Sequence, residues 1–534
     1  MSETINLHLD LPSTFAVKAE YALRAMLAGF DINVQQVNRE TLQQSGGIFY
    51  GLAAGEPVIG SRGASNGVLA LISHPETWAY FEKNEGSPPI DDNKYPTLEE
   101  LTGQTGEAKK FLKEIRQKLE NIKASADIST DVSGLEWPEK TPFLFGNTRS
   151  ESGTRYILTE ADLVASSFFW LSDWQETYMG EEARDEHGRI PYSRSLHSEL
   201  GLGALPIVDV YGLLLIHWLR KLGYQCIPKL WPGGKRFALF LTFDIDNLRK
   251  NPAALLWRES RNLFRRQPNP PSPQNSNALL GRVSRFRKVL KQLPAGDENL
   301  TSSVDRILEI CRENEGSPTI FLKSLIERHR RDARDYLDIP YFNKMLDNIE
   351  SLDGEIGFHS SYRANYDRNL FRKELLRLTQ KTNREINAHR AHYLRYDNSL
   401  TPELWENHGL TADSSMGWAD QFGFRTGTCH PHYIFNRKRN SVTDIIEIPL
   451  MAMDAQLFGY MELTGQDALK RLEIQVKLVE LFRGILVWNF HQHIFDSLEA
   501  PGWGSLFKKA YQRAAAEKPW QATFRDLTTY LTSK

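Results

Sequence analysis

Two carboxylates stand at the end of an apolar run near the middle of the chain. Asp244 and Asp246 follow the run from Phe237 to Phe243, whose length and composition indicate a buried strand. Side chains spaced i, i+2 at the end of a strand can share one rim of a sheet. There, one carboxylate could hold a cation while the other removes a proton. An isolated pair of this kind is otherwise typical of a solvated turn, so the rest of the chain has to decide between the two interpretations.

Further polar clusters follow, each after an apolar, strand-like stretch. They bring imidazole, guanidinium and carboxylate groups, and they span residues 355–362, 390–396, 410–415 and 485–496. Helix-like segments, such as 341–349 and 368–379, lie between them. Strands that alternate with helices predict a parallel sheet or an α/β barrel, whose chemistry gathers at the carboxyl ends of the strands. An acid, an imidazole, a guanidinium, a second acid and a second imidazole in such positions are what a metal hydrolase requires.

This ordered set of motifs resembles the polysaccharide deacetylase superfamily (NodB-homology, carbohydrate esterase 4-like), and most closely a branch with an additional N-terminal domain of unknown role. The resemblance runs from about Lys235 to Leu527. It implies a distorted (β/α) barrel of the NodB type in residues 235–534. Short strand-like and helix-like segments in residues 1–230 predict a separate N-terminal α/β domain. The expected fold class is therefore α/β in both parts of the chain.

The resemblance implies a role for each matching side chain. Asp244 matches the catalytic base, and Asp246 matches the carboxylate that binds the metal. Arg390 matches the residue that orients the base, and the backbone amide of Tyr393 matches a group of the oxyanion hole. His491 matches the general acid that protonates the leaving group. Together these roles describe a hydrolase that acts on carbon–nitrogen bonds other than peptide bonds.

The metal motif departs from the family pattern at one position. His359 matches the first metal-binding histidine, but the second should stand at 363, where this chain has Arg363. A guanidinium stays protonated and cannot ligate a cation. His392 replaces the proline of the family's R-x-P-Y motif and is the candidate for the missing ligand. The resemblance also matches Asp413 with an acidic residue that supports the final histidine.

Asp246, His359 and His392 would form a three-ligand set with an open position. Such a set suits one divalent ion, most often zinc, with cobalt or nickel as alternatives. The reaction implied is removal of an N-acetyl group, or of an O-acetyl group, from a sugar in surface polysaccharide or glycan biosynthesis. Two alternatives stay open: a degenerate site that no longer binds metal, and a His392 that is an ordinary hydrogen-bonded histidine of the barrel.

Two further side chains are candidates for contact with substrate. Arg425 lies in a loop that resembles a stretch of the same branch, and its guanidinium could grip a carboxylate or a phosphate. Tyr362 belongs to the cluster at 355–362, beside the first metal histidine. Both are expected near the rim of the barrel.

Residues 249–293 form a basic insertion after the first strand of the expected barrel. Between Arg249 and Lys291 it has eleven basic residues and one acid, Glu259, with apolar residues interleaved at helical spacing. At the rim of an active site, such a segment could rest on an anionic membrane or grip the phosphates of a lipid- or nucleotide-linked substrate. The alternative is a pair of helices packed on the barrel with a solvated basic face.

Composition narrows the cellular setting. The 534 residues are enough for two or three domains, and the hydrophobic fraction of 41% is ordinary for a globular protein. The formal net charge of −2 argues against general nucleic-acid binding. A polar, acidic N-terminus, the lack of an apolar stretch of roughly 20 residues and three scattered cysteines predict a cytoplasmic protein, peripheral at most to the inner face of a membrane. Its N-acetylated sugar substrate would then be nucleotide- or lipid-linked.

Two other functions remain open at this level. The D-x-D spacing of Asp244 and Asp246 also resembles related metal amidohydrolases that act on a small cyclic or linear amide. Arg363 favours a catalytically silent carbohydrate-binding protein that kept the barrel. The basic insertion favours the deacetylase over the small-amide enzyme, because a small neutral amide has no use for a basic rim.

Overall fold

The computed structural model describes most of the chain outside the basic insertion. It describes residues 2–52, 66–83, 86–88, 95–101, 106–125, 138–249, 298–496 and 500–533, and from the insertion 256–257, 260–261, 283, 286–287 and 290. The basic amphipathic helices predicted between residues 250 and 293 therefore lie mainly outside the described residues. None of the helices among the described residues combines the length and the hydropathy that crossing a bilayer requires.

The chain separates into two compact units. Unit 1 consists of Met1–Gly234, Phe424–Thr443 and Leu481–Gly484, and unit 2 consists of Lys235–Gly423, Asp444–Glu480 and Ile485–Lys534. The range 235–534 from the sequence includes the two later segments of unit 1. Aromatic packing shows why the first of them belongs there: the ring of Phe435 lies 5.4 Å from that of Tyr21 and 4.9 Å from that of Phe168.

Unit 1 contains a mostly parallel sheet. Its strands are β1 (Glu3–Asp10), β2 (Ile32–Gln36), β3 (Gly47–Leu52), β4 (Val68–Ser73), β5 (Gly146–Ser152) and β6 (Tyr156–Ala161). Their order is β2-β1-β3-β4-β6-β5, with only β5 antiparallel to its neighbour among the described strands. The helices are Ser13–Met26, Arg39–Ser45, Pro75–Lys83, Gly106–Ser125, Leu163–Leu171, Gln175–Tyr178, Leu196–Glu199 and Ile207–Lys221. The predicted α/β class is confirmed here.

One helix of unit 1 shows how the sequence sets its burial. Leu163–Leu171 is buried at every position, as its almost wholly apolar composition requires. Asp162 begins the helix by accepting a hydrogen bond from the backbone N–H of Ala165. Its carboxylate also accepts from Tyr50, which ties the start of the helix to β3.

Unit 2 contains a second parallel sheet. The remaining strands of the chain are β7 (Ala238–Ile245), β8 (Thr319–Leu322), β9 (Glu355–Ser360), β10 (Ala388–Ala391), β11 (Ala412–Asp413), β12 (His432–Asn436, in unit 1), β13 (Ser441–Glu447), β14 (Ala452–Met453), β15 (Ile485–His491) and β16 (Trp520–Gln521). In unit 2 the parallel order is β13-β11-β10-β9-β8-β7-β15-β14, and β16 also pairs with β7. The helices are Glu298–Glu313, Tyr341–Glu350, Arg368–Thr382, Thr401–Glu406, Gly465–Phe482, Trp503–Ala516 and Phe524–Thr532.

The register of this sheet places the sequence motifs on one edge. Asp244 is opposite His491 across β7 and β15, and His359 is opposite Arg390 across β9 and β10. Because all of these strands are parallel, their carboxyl ends lie on the same side of the sheet. In the described residues no pairing joins β13 to β14, so closure into a barrel stays a prediction.

Candidate active site

Asp244 is the penultimate residue of the fully buried strand β7, and its carboxylate is held from two sides. Arg390 Nη1 donates to its Oδ1 at 3.1 Å, and Asn489 Nδ2 donates to its Oδ2 at 2.7 Å. Burial by itself raises the pKa of Asp244, but the Arg390 guanidinium lowers it below the ordinary value. The carboxylate is therefore ionised and fixed in orientation. Asn489 had no sequence motif to mark it, although it lies two residues before the expected general acid.

His359 presents a bare ring nitrogen to Asp246. Its Nδ1 lies 2.8 Å from the carbonyl oxygen of Arg390, which can only accept, so Nδ1 carries the proton. In the neutral ring Nε2 then has a lone pair, and it lies 3.3 Å from Asp246 Oδ1 with no hydrogen-bond partner among the described residues. A ring in this tautomer can ligate a cation that lies between Nε2 and the carboxylate. This arrangement is typical of a metal ligand oriented by a carbonyl.

His392 lies directly after β10 and also directs a ring nitrogen toward Asp246. Its Nδ1 lies 2.7 Å from Asp332 Oδ1, and its Nε2 lies 3.5 Å from Asp246 Oδ1. Burial, with the nearby Lys323 ammonium, lowers the pKa of His392 to about 4. The ring is therefore neutral at physiological pH, as a metal ligand must be. Asp332 acts as the carboxylate that orients the ring, a role that the sequence did not reveal.

Lys323 follows β8 and enters the same cluster. Its ammonium lies 2.9 Å from Asp246 Oδ1 and 2.8 Å from His392 Nε2, and the side chain is 1% exposed. Burial raises the pKa of Asp246, but Lys323 lowers it well below the ordinary value. The sequence analysis missed Lys323, because a lone lysine is usually a surface residue. Its position directly after an apolar strand was the one signal available.

The residues present fit a divalent ion. Asp246, His359 and His392 each offer one atom, and the three atoms lie within 4.8 Å of one another. Two neutral imidazole nitrogens and one carboxylate oxygen are donors that zinc accepts. Arg363 takes no part, since it forms an exposed ion pair with Glu327 at 2.8 Å. The expectation that His392 stands in for the missing histidine therefore has geometric support, while Lys323 shares two of the three ligands.

His491 lies across the rim and is paired with Asp454. Its Nδ1 lies 2.6 Å from Asp454 Oδ1, and its backbone N–H donates to the other carboxylate oxygen at 2.8 Å. Burial by itself lowers the pKa of His491, but the Asp454 carboxylate raises it to about 10. The imidazole is thus protonated at neutral pH, with Nε2 3.7 Å from Asp246 Oδ2. A protonated imidazole beside the ligand set can serve as a general acid.

The carboxylate that supports His491 is not Asp413. Asp413 Oδ2 lies 2.7 Å from His389 Nδ1, and the two residues are in register across β11 and β10. Asp454 instead follows β14, which pairs with the strand that ends at His491. The order of the strands, which the sequence does not reveal, thus places a different acid beside the histidine.

Tyr393 and Tyr362 lie close to the ligand set. Tyr393 has a positive φ of 62° and Leu394 one of 54°, in the turn that follows β10. Two consecutive non-glycine residues in this region cost about 1–3 kcal/mol each, and such strain is concentrated at functional sites. The backbone N–H of Tyr362 donates to Asp332 at 3.2 Å, and its ring is covered by the Arg395 guanidinium. A role of either residue toward substrate stays a prediction.

Arg425 does not lie at a rim and is not available to a substrate. It belongs to unit 1 and is 3% exposed. Its Nη2 lies 2.6 Å from Asp173 and 2.5 Å from Glu176, both of which are also buried. A buried guanidinium that neutralises two buried carboxylates is part of the core. The expected substrate contact is therefore replaced by a structural ion pair.

Comparison with known proteins gives limited matches. Residues 97–224, in unit 1, match a family of unknown function, DUF7033. No curated protein matches the chain. Solved structures similar to it include one from Mycobacterium smegmatis named as a polysaccharide deacetylase (18% identity, 57% of this chain and 93% of that chain, TM-score 0.38).

Two other solved structures also align. One is a mutant of a CE4 family pseudoenzyme with restored activity, from a Bacillus anthracis protein (12% identity, 56% of this chain and 69% of that chain, TM-score 0.26). The other is Agd3, a carbohydrate deacetylase (9% identity, 100% of this chain and 87% of that chain, TM-score 0.30). At TM-scores this low, the likeness says nothing of the chemistry, which depends on the side chains at the site.

Proposed function

We propose that unit 2 is a metal-dependent deacetylase of the polysaccharide deacetylase superfamily, which removes an acetyl group from an N-acetylated sugar. One observation carries this proposal: the bare Nε2 atom of His359 and the neutral imidazole of His392 converge on Asp246, across the rim from a protonated His491. Ligands on one side and a proton donor on the other are what hydrolysis of an amide needs. An O-acetyl ester could react by the same route.

Asp246, His359 and His392 would hold the ion. When bound there, a divalent ion lowers the pKa of water and polarises a carbonyl. The roles of the remaining residues follow from their contacts. Arg390 and Asn489 hold Asp244 ionised and immobile, so that it can accept a proton from the attacking water.

Two side chains, Asp244 and His491, carry the protons in the proposed reaction. The water oxygen forms a bond to the acetyl carbon as Asp244 takes one proton. The carbon–nitrogen bond then breaks as His491 gives its Nε2 proton to the leaving nitrogen. The proton on Asp244 returns to His491, which leaves a free amino sugar and acetic acid, and the acid ionises to acetate in water. The Tyr393 amide, presented by the strained turn, is the proposed donor to the developing oxyanion.

Metal content and acetate release test the proposal together. Wild-type protein, purified without chelators, is compared with His392→Ala and with His408→Ala, a control histidine of unit 2 that bonds the carbonyl of Leu404. We expect about one divalent ion per chain and acetate release from acetylated hexosamines in the wild type and the control, with both lost in His392→Ala. A wild type that takes up neither zinc, cobalt nor nickel and releases no acetate would contradict the proposed deacetylase function.

A catalytically silent carbohydrate-binding protein is the second candidate. Lys323 favours it, because a buried ammonium already neutralises Asp246 without any ion. That protein would bind acetylated sugars, release no acetate and retain no metal. The same measurements therefore separate the two candidates.

A further inference from the structure

A basic pocket adjoins the ligand set in unit 2. The segment that leads from β8 to the helix Tyr341–Glu350 reads Arg328-His329-Arg330-Arg331-Asp332-Ala333-Arg334. Residues 328–330 and 332–334, with Asn247 and Arg249, line a cavity of about 340 Å³. Asp332 belongs to both places, since it lines the cavity and also binds His392. An occupant of the pocket therefore lies next to the proposed metal ligands.

Three arginines of this pocket are not paired with a described acid. Arg328, Arg330 and Arg334 are exposed, and none of them forms an ion pair with a described residue. Asp332 is the one acid in the segment, and it faces inward, toward Lys323, His392 and the backbone of Tyr362.

The acids that flank the segment are also committed to other cations. Glu327 pairs with Arg363, and Asp335 binds Arg377 through two hydrogen bonds of 2.7 Å each. The guanidinium groups of the pocket are thus left facing solvent as donors. Guanidinium groups bind phosphate and carboxylate oxygens through paired N–H donors, so such a cluster selects an anion with several oxygens. A cavity of this size is within the range of small-molecule sites.

We propose that this pocket is the subsite for the phosphate groups of the substrate. The inference rests on the proposed function and deepens it: the acetylated sugar carries a phosphate or diphosphate, and the pocket places that group while the sugar reaches the ligand set. A free neutral sugar would leave the three exposed guanidinium groups without a partner. A sugar nucleotide and a lipid-linked sugar diphosphate share this chemistry.

Calorimetric titration of the full-length chain with inorganic pyrophosphate tests the pocket without any need for turnover. The test variant combines Arg328→Ala, Arg330→Ala and Arg334→Ala. The matched control combines Arg306→Ala, Arg372→Ala and Arg513→Ala, three exposed helical arginines of unit 2. We expect the test variant to bind pyrophosphate at least about tenfold more weakly than the wild type, and the control to match the wild type. Wild-type affinity should fall as salt rises from about 50 to about 200 mM.

Two results would overturn the inference: no binding of pyrophosphate by the wild type, or equal binding by the wild type and the test variant. Unchanged melting temperatures exclude misfolding, because the substituted side chains are exposed. Titration with a UDP-linked acetylated sugar and flotation with vesicles that contain a polyprenyl diphosphate sugar then distinguish the two sources of the diphosphate. Acetate release from a non-phosphorylated acetylated sugar is measured in parallel, so that failure of the pocket and failure of the deacetylase give different results.

Discussion

Among the residues that the structure describes, two clusters each bring three possible metal ligands together, one cluster in each unit. Unit 1 has Asp209, Cys429 and His430, and unit 2 has Asp246, His359 and His392. In both, the candidate atoms lie within 4.8 Å of one another. Ligand type and proximity alone do not separate the two clusters. The two clusters differ in the other contacts that the same atoms make.

The cluster in unit 1 is satisfied by hydrogen bonds. Asp209 accepts from Thr428 Oγ1 at 2.7 Å and from the backbone N–H of Cys429 at 2.8 Å. His430 Nε2 lies 3.0 Å from the carbonyl oxygen of Phe482 and so donates to it. Burial raises the pKa of the Cys429 thiol well above its ordinary value, which disfavours the thiolate that a metal needs. In unit 2, by contrast, His359 Nε2 has no hydrogen-bond partner among the described residues, so we favour this cluster as the metal site.

The largest expected effect is on zinc binding, and it is measured by one substitution in each cluster. His359→Gln should weaken zinc binding at least about a thousandfold, because it removes one of the three ligands that the protein supplies. Cys429→Ser should leave affinity and stoichiometry as in the wild type. Competition with a chromogenic chelator measures both. Loss of zinc in Cys429→Ser, with retention in His359→Gln, would reverse the assignment of the clusters.

The next effect concerns the proton donor and the correction from Asp413 to Asp454. Asp454→Asn should lower the rate of acetate release about 10²- to 10⁴-fold. It removes the charge that raises the pKa of His491, so the protonated form is lost at lower pH. The basic limb of the pH–rate profile should therefore move to lower pH.

Asp413→Asn provides the comparison for that experiment. Asp413 bonds His389 and Ser415 rather than His491, so its replacement should lower the melting temperature and leave the basic limb in place. If the basic limb of the pH–rate profile moves in Asp413→Asn but not in Asp454→Asn, then Asp413 supports His491, as the sequence predicted.

A smaller effect tests the ammonium in the ligand set. Lys323→Met should tighten zinc binding about ten- to a hundredfold, because it removes a positive charge that contacts Asp246 Oδ1 and His392 Nε2. Lys344→Met, at an exposed lysine that pairs with Asp305, is the control and should bind zinc as the wild type does. Titration calorimetry gives both affinities. Equal or weaker binding in Lys323→Met would mean that the lysine supports the ion instead of competing with it.

The smallest expected effect concerns a buried carboxyl group of unit 2, Glu374, which lies outside the ligand set and has one oxygen without a hydrogen bond to a described residue. Glu374 accepts from the backbone N–H of Ser361, but its Oε1 has no hydrogen-bond partner among the described residues. Burial raises its pKa to about 7, so the folded protein loses stability as pH rises from the unfolded value near 4.5 toward 7. Glu374→Gln carries no such charge. Its stability relative to the wild type should be higher at about pH 8 than at about pH 5 by about 2–3 kcal/mol.

Chemical denaturation at the two pH values measures this difference. An equal effect of the substitution at both would show that the Glu374 carboxyl titrates normally in the folded protein.

The sequence revealed the residues that end long apolar strands, and little of what supports them. Asp244, His359 and His491 each follow at least four buried strand positions, a pattern that is visible without a structure. Asp454 follows a strand of two residues, which has no periodicity to detect. The partner of a histidine also depends on strand order, and sequence order wrongly favoured Asp413.

Loop residues were harder still, because their setting depends on the whole fold. Arg425 stands in a motif that suggests an exposed loop, yet its segment packs within unit 1. Asp332 lies in a basic surface segment, and only the folded structure turns it toward His392. The α/β class itself was predictable, because alternating strands and helices are encoded locally.

Lys323 also bears on how the protein matures. Zinc fingers are unfolded without their ion because metal binding supplies their free energy of folding. Here an internal ammonium already bridges Asp246 and His392, so we expect the polypeptide to fold fully before it meets a metal. A chelator should then abolish the activity without unfolding the protein, and adding the ion back should restore the activity. The lysine would thus make metal supply a reversible control on activity rather than a condition for folding.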